Sequence, residues 1–341
     1  VNLAERWLQA AYQGSRWLVA LRPLAAVYRQ IIARRAQAYA VGRKPIWRAP
    51  VPVIVVGNIT LGGTGKSPLV AWLGRWLTEQ GYKPGIVSRG YGGKAPTYPL
   101  EVIPDTCVSH SGDEPLMLAQ QTGLPVVVDP QRARGAEYLV EAGCTIIISD
   151  DGLQHLALGR DIELVVIDGA RGLGNGQCLP AGPLREPVTR LAGVDKVIIN
   201  GNQGEAGRSK IDNALEASAQ PVTMSLAPSA WRRLSDGRRL PLSPLPFELP
   251  VYGLAGIGNP QRFFSTLEAL GIEGSWHPLG DHHRFSAADF DFGEPRPVVI
   301  TAKDAVKCHD VAGPETWVLE VEAVLPADFE HWLAARLLSI T

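Results

Sequence analysis

The segment Thr60-Leu-Gly-Gly-Thr-Gly-Lys-Ser67 carries residue types suited to holding a nucleoside triphosphate. Glycines at 62, 63 and 65 let backbone N–H groups turn inward around phosphates, where a Cβ would obstruct the turn. Lys66 supplies a charge that reaches the β- and γ-phosphates, and Ser67 a hydroxyl for Mg²⁺. Thr60 stands where the usual pattern has its first glycine. Farther along, the apolar run Cys144–Ser149 ends in Asp150-Asp151-Gly152, an arrangement that sets a carboxylate beside a loop-bound metal. Asp151 is the favoured ligand, with Asp150 as a second. Asp-Gly also ends many strands for turn reasons alone, so this signal gains its force from the loop before it.

Ser111-Gly-Asp113-Glu114-Pro115 precedes a helical stretch. Two roles fit Asp113: stabilising a helix N-terminus, or accepting a proton from an alcohol that attacks a phosphoryl group. Gly280-Asp-His-His-Arg-Phe285 holds adjacent histidines. Neighbours on one loop rarely converge on one ion, and no other His/Cys cluster supports a metal there. A histidine acting as proton partner to a carboxylate, supplied across a cleft, is the more economical reading. Ser88-Arg-Gly-Tyr91-Gly-Gly93 follows a strand, where an α/β sheet presents its ligand crevice. A long Gly/Pro-rich loop runs from Asn175 to Glu186. Both segments also fit plain turn chemistry, but Arg89 and Arg185 are candidates for holding an anionic substrate.

These residues need a scaffold, and from residue 50 the sequence alternates short β-branched runs with helical stretches. Strands are expected at 52–57, 85–88, 125–129, 144–149, 162–168 and 194–200, with helices at 67–80, 113–121 and 131–142. Runs this apolar require cover on both faces, which predicts an α/β fold: a P-loop NTPase-like, mainly parallel sheet covered by helices. A boundary or linker is expected within 201–250, where Pro241, Pro244, Pro246 and Pro250 cluster. A smaller C-terminal α/β unit follows, with strands near 251–255, 297–301 and 317–322 and a helix near 326–339. The expected organisation is therefore residues 1–45 as an N-terminal amphipathic helical segment, 46–220 as the core, and 221–341 contributing across the cleft.

In that first segment Trp17, Leu18, Leu21, Leu24, Ala25, Tyr28, Ile31 and Ile32 advance as one helical face, with Pro23 breaking or kinking it. Residues 1–44 carry eight basic residues against one acid, Glu5. Such a helix suits an anionic membrane surface, and it equally suits packing on the protein's own core. The whole chain is balanced, with 33 Lys+Arg against 34 Asp+Glu in 341 residues. That argues against a dedicated nucleic-acid binder, and the composition excludes wholesale disorder, collagen and coiled coil. No apolar run reaches the length of a bilayer span, and no secretory signal pattern is present. The four cysteines show no metal-finger or disulfide spacing and read as thiols of a reducing compartment.

Taken together the motifs resemble the tetraacyldisaccharide 4'-kinase family, the lipid A kinases of Gram-negative bacteria. The resemblance is carried by VGNITLGGTGKSP at 56–68, SRGYGG at 88–93, GDEP at 112–115, DDGLQH at 150–155, GNGQCLPAGPLREP at 174–187, GIGNP at 256–260, DHHRF at 281–285 and TAKDAVK at 301–307. It implies transfer of the ATP γ-phosphate to the 4'-hydroxyl of a tetraacylated glucosamine disaccharide 1-phosphate, at the cytoplasmic face of the inner membrane. It also implies a nucleotide cradle of Thr60, Leu61, Gly62, Gly63, Thr64, Gly65, Lys66 and Ser67, and Mg²⁺ on Ser67, Asp151 and Asp150. Asp113 becomes the catalytic base, with His282 as its partner and Lys66 acting in catalysis. Arg89, Tyr91, Glu114 and Arg132 fall near the glycolipid head, and the N-terminal helices become the membrane-docking element. TAKDAVK receives no role from this reading. A membrane-associated P-loop ATPase switch without a lipid acceptor is the main alternative, and a small-molecule kinase the next. The first leaves Asp113 and His282 without work, and the second leaves the basic N-terminus unexplained.

Overall fold

The computed structural model describes residues 3–202, 211, 220–280 and 283–340. Its first elements are helix α1 (Leu3–Gln13), a 3₁₀ turn (Arg16–Leu21) and helix α2 (Arg22–Ala40). The break predicted at Pro23 falls just before it. Proline occupies the first turn of α2, where its missing N–H removes no helical bond.

The core then follows as β1 (Val53–Gly57), α3 (Lys66–Glu79), β2 (Pro84–Ser88), β3 (Leu100–Val102), α4 (Val108–Ser111), α5 (Asp113–Thr122), β4 (Val126–Val128), α6 (Arg132–Glu141), β5 (Ile146–Asp150), β6 (Ile162–Asp168) and β7 (Lys196–Asn200). The C-terminal half contains β8 (Val222–Arg233), β9 (Arg239–Leu240), β10 (Val251–Ala255), α7 (Pro260–Ala269), β11 (Gly274–Pro278), β12 (Val298–Thr301), α8 (Ala302–Cys308), β13 (Thr316–Val324) and α9 (Ala327–Leu338).

The described strands form one 13-stranded sheet in the order β11-β10-β12-β13-β8-β7-β6-β1-β5-β2-β4-β3, with β9 against β8. Pairing is parallel except at β3–β4, β8–β13 and β8–β9. Strands β1, β2, β4, β5 and β6 are buried along their whole length, as double-sided cover requires. The boundary expected within 201–250 contains β8, a strand that belongs to both halves. Its first residues, Val222–Met224, run parallel to β7, and the rest runs antiparallel to β13. Residues 203–210 and 212–219, part of the polar stretch after Asn200, lie outside the described residues.

Helix α3 carries the lysine of the glycine-rich loop, and both halves of the protein hold it. Leu69, Leu73 and Leu77 share a core with Ile54 and Ile148 of the central strands and with Phe329, Leu333 and Leu337 of α9. The Trp72 ring lies 5.7 Å from that of Phe329.

The single apolar face expected for the N-terminal segment divides in two. Leu18 and Ala25 are buried, and Tyr28 packs beside the core under the Asn175–Glu186 loop. Trp17, Leu24 and Ile31, joined by Val27, are more than half exposed. One side of the segment is thus fastened to the protein while the other presents apolar residues beside the exposed Arg16, Arg22, Arg29, Arg34 and Arg35. Among the described residues no helix is long and apolar enough to cross a membrane.

Candidate active site

The glycine-rich loop leaves β1 and enters α3 at Gly65, whose φ of +90° closes the turn. Thr64 offers its carbonyl to Asn200 Nδ2 at 2.9 Å, so the end of β7 supports the loop from below. Asn200 in turn accepts from Arg262 Nη2 at 3.0 Å, a tie reaching from α7 in the C-terminal half. The outer wall is the Asn175–Glu186 loop. The Leu61 N–H donates to the Pro183 carbonyl at 2.9 Å, and the Arg185 N–H donates to the Ile59 carbonyl at 2.7 Å. A segment that plain turn chemistry could have explained is zipped along the phosphate loop by backbone hydrogen bonds.

Lys66 Nζ stands 3.4 Å from Asp151 Oδ1, and Arg185 Nη1 lies 3.1 Å from both Asp151 oxygens. Burial alone would raise the Asp151 carboxyl, but the two cations hold it down at about 2. Its φ of +48° turns the chain immediately after β5. Asp150 faces different surroundings. It is buried, accepts from Ser88 Oγ at 3.1 Å, and its Oδ1 has no hydrogen-bond partner. Burial, followed by the charges of Glu114 and Asp151, pushes its carboxyl up to about 6.

A second acidic pair opens α5. Asp113 is buried at the helix start, with Glu114 beside it and Glu114 N–H 3.1 Å from Asp113 Oδ1. The segment Ser88–Gly93 sets this corner. Gly112 has φ +84°, and a Cβ there would come 2.5 Å from the Tyr91 carbonyl oxygen, so the two loops meet backbone to backbone. Lys303 of α8 reaches both acids, at 3.7 Å from Asp113 Oδ2 and 3.4 Å from Glu114 Oε1. Its helix is capped by Thr301, which accepts the Asp304 N–H at 3.1 Å. Asp304 accepts the Gly256 N–H at 3.0 Å and pairs with Lys307 at 2.6 Å, which fastens TAKDAVK to GIGNP.

Asp113, Glu114, Lys66, Ser67, Asp150, Asp151 and Arg185 therefore come together where β1, β2 and β5 end, with the cradle residues Thr60 to Gly65 beside them. Arg89 and Tyr91 lie exposed at the rim. Arg185, the candidate for holding an anionic substrate, pairs with Asp151 and neighbours Gln154. Arg132, the other arginine that the resemblance sets near the glycolipid head, is buried. Its Nη2 donates 2.7 Å to the Asp150 carbonyl, and desolvation lowers it to about 10. It braces the end of β5 rather than facing solvent. His282 and Asp281 lie outside the described residues. The adjoining His283 bonds to Asp289 at 3.1 Å.

Sequence reasoning missed Lys303, Asn200, Arg262 and Glu186. The last holds Gln154 Nε2 at 2.6 Å within the LREP segment. Lys303 and Glu186 lie within TAKDAVK and LREP, Arg262 two residues past GIGNP, and Asn200 at the end of an expected strand, but no local spacing says what a lone lysine or asparagine will touch. His155, which closes the DDGLQH motif, is held at about 4 by burial and then by the charges of Arg132 and Arg89, so it is neutral near pH 7.

The cradle fits a triphosphate. A Cβ at Gly65 would collide with Asn200, and buried Thr64 Oγ1 has no partner. The acids fit a hard cation such as Mg²⁺, for which a hydroxyl, one carboxylate, phosphates and water suffice. Ser67 lies in the first turn of α3, and Asp150 Oδ1 is a buried carboxylate oxygen without a donor. Among the described residues no group of three His, Cys, Asp or Glu gathers into an all-protein metal cage.

A family profile described as Tetraacyldisaccharide-1-P 4'-kinase matches residues 17–338. A tetraacyldisaccharide 4'-kinase of Pseudomonas aeruginosa is 46% identical over 338 residues, spanning 99% of this chain and 98% of that relative. One of Azotobacter vinelandii is 46% identical over 336 residues, spanning 98% and 97%. Among solved structures, LpxK from Aquifex aeolicus, crystallised in complex with ATP, aligns with a TM-score of 0.77 at 27% identity, covering 94% of this chain and 99% of that one.

Proposed function

The chain belongs to the tetraacyldisaccharide-1-P 4'-kinase family, and on that premise we propose that its site moves the γ-phosphoryl group of ATP to the 4'-hydroxyl of a tetraacylated glucosamine disaccharide 1-phosphate. The protein is an ATP-dependent lipid kinase of lipid A biosynthesis. The observation that carries this assignment to the residues is the placement of a second acidic pair, Asp113–Glu114, close enough to the loop's own acids that Glu114 raises Asp150. A nucleotide switch needs the loop and one acid. A kinase with an alcohol acceptor needs a further carboxylate to take the hydroxyl proton, and the buried Asp113 is the candidate for it.

In this reading Lys66 neutralises charge on the transferring group while the cradle N–H groups hold the phosphates. Asp113 accepts the 4'-hydroxyl proton as the new O–P bond forms, with Lys303 fixing the carboxylate's orientation. The resemblance assigns His282 as its partner. Mg²⁺, held by Ser67 with Asp150 and Asp151, would supply positive charge at the phosphate oxygens. Asp150 is the stronger candidate of the two acids, because Asp151 is already neutralised by Lys66 and Arg185. Arg89 and Tyr91, exposed on the rim beside α5, are the proposed contacts for the sugar phosphate head. The exposed face of Trp17, Leu24, Val27 and Ile31, flanked by arginines, docks on the anionic inner membrane from its cytoplasmic side. Acyl chains then stay in lipid while the head is phosphorylated at the surface.

The direct test is transfer of labelled γ-phosphate to a tetraacyl disaccharide 1-phosphate in mixed micelles, comparing wild type with Asp113→Ala. Lipid phosphorylation by the wild type and a loss of about 10²–10⁴-fold in the variant are expected. Phosphate released only to water, equally in both proteins, would return the chain to the ATPase-switch reading.

A further inference from the structure

One cation beside the phosphate loop has no part in the mechanism above. Arg171 lies three residues beyond the end of β6, and its guanidinium rests on the outer arc of the loop. Its Nη2 donates to the Gly63 carbonyl, and a Cβ on Gly62 would come 2.7 Å from its Nη1. Asp168 anchors it through the Arg171 N–H at 2.9 Å and an ion pair at 3.3 Å. Its Nε is buried without a partner. The face of the guanidinium is covered by Tyr12 of α1, with Cζ 5.0 Å from the ring centroid. The same tyrosine donates its hydroxyl to the Leu61 carbonyl at 2.5 Å.

Gly65 and Lys66 mark the β-phosphate end of the cradle, at the start of α3, so Gly62 and Gly63 border the opposite, γ-phosphate end. At that end Arg171 bonds a neutral carbonyl and keeps one buried N–H unspent. A phosphate oxygen is the stronger acceptor, because it carries negative charge opposite the guanidinium and can take its N–H groups as a bidentate pair. Arg is also the side chain whose planar fork matches phosphoryl oxygens.

We propose that Arg171 is a further catalytic residue of this kinase: it leaves the Gly63 carbonyl for the γ-phosphoryl oxygens as charge builds there, and Tyr12 of the membrane-docking segment holds its plane in position. The proposal deepens the kinase reading and depends on it. In the step served, the O4'–P bond forms while the bond from the γ-phosphorus to the bridging oxygen breaks. The hydroxyl proton passes to Asp113, and the electron pair stays with ADP. Arg171 gains hydrogen bonds only. The arrangement gives the N-terminal segment a direct line to the chemistry, since α1, which roofs the γ-phosphate end of the loop, is followed by the 3₁₀ turn and α2 whose exposed face is the proposed membrane contact.

The test uses the full-length protein and three readouts: kcat in mixed micelles, affinity for the ground-state analogue AMPPNP with Mg²⁺, and affinity for ADP with aluminium fluoride, which mimics the phosphoryl group in transit. Arg171→Ala should bind AMPPNP within about 3-fold of wild type. It should lose about 10³-fold in kcat, together with the extra affinity for ADP–aluminium fluoride. Arg171→Lys keeps the ion pair with Asp168 and carries the test should the alanine variant fail to fold; it should recover only part of both losses. Tyr12→Leu should lower the same two quantities by about 10-fold, with AMPPNP affinity kept. Equal losses for AMPPNP and aluminium fluoride would make Arg171 a brace of the loop and overturn the proposal, as would an unchanged kcat. A wild type that binds AMPPNP but phosphorylates no lipid would instead strike the kinase reading beneath it.

Discussion

Lys303 Nζ lies 3.4 Å from Glu114 Oε1, although 189 residues separate them in the chain. The pair joins α8 of the C-terminal half to the first turn of α5, and the same ammonium stands 3.7 Å from Asp113. Two carboxylates at one helix start repel each other, and the ammonium between them offsets that repulsion and fixes their direction.

Removing the charge should therefore misplace the proton acceptor without touching the nucleotide cradle. Lys303→Met is expected to lower kcat by about 10²-fold while the KM for ATP stays near the wild-type value. Lys303→Arg should recover a substantial part. A fall in ATP affinity that matches the fall in kcat would count against this assignment.

Gly65→Ala asks whether the cradle needs its glycine. The position has φ +90°, and a Cβ there runs into Asn200. The variant should fold, because the surrounding strands are buried independently of the loop, yet it should bind nucleotide at least about 10²-fold more weakly. Circular dichroism and nucleotide titration separate the two effects. Normal binding by the variant would show that the turn tolerates a side chain.

Asp150 should give the metal-free protein a distinctive pH dependence. Its folded carboxyl is raised to about 6, chiefly by burial, above the ordinary carboxylate value of 3.8. The folded state thus holds this proton more firmly than the unfolded chain. The stabilisation is complete below about pH 4 and is lost as pH rises through about 6. Asp150→Asn lacks this titration. In EDTA the melting temperature of the variant relative to wild type should rise between pH 4 and pH 7. Mg²⁺ with ATP should then raise the wild type at pH 7 more than the variant. Parallel curves for the two proteins would contradict the placement of that carboxylate.

Thiol chemistry offers a simple check of packing. Cys107 is exposed, and its thiol is lowered by hydrogen bonding from Ser109. Cys144, Cys178 and Cys308 are buried, and burial followed by Asp304 pushes Cys308 up to about 12. Maleimide at neutral pH should label Cys107 first, because the thiolate is the reacting form. Peptide mass mapping identifies the site. Early labelling of Cys144 or Cys308 would mean that the core opens more readily than its packing indicates.

Much of this protein is determined by local sequence. The apolar runs at 53–57, 146–150 and 162–168 are covered on both faces, so their composition alone marks them as central strands. The phosphate loop is equally local, since its glycines, lysine and serine act within one turn of backbone. The acids of Asp150-Asp151-Gly152 follow directly from the end of a buried strand.

Other features arise only from packing. The Trp17–Ile32 stripe has one helical period, but which residues meet the protein depends on the loop that Tyr28 touches, its hydroxyl 2.9 Å from the Arg185 carbonyl. The expected boundary near β8 could not be told from a strand shared between halves, because pairing partners are distant in sequence. The same distance hid Lys303, Asn200, Arg262 and Arg171, each a lone polar residue whose partner comes from another element. Arg132, named only through the family resemblance, is likewise placed by packing, which buries it against the Asp150 carbonyl. Periodicity and turn chemistry are properties of neighbouring residues and can be read along the chain. The partner of a single charged side chain is decided by which strands lie side by side, and that is set only when the sheet is assembled.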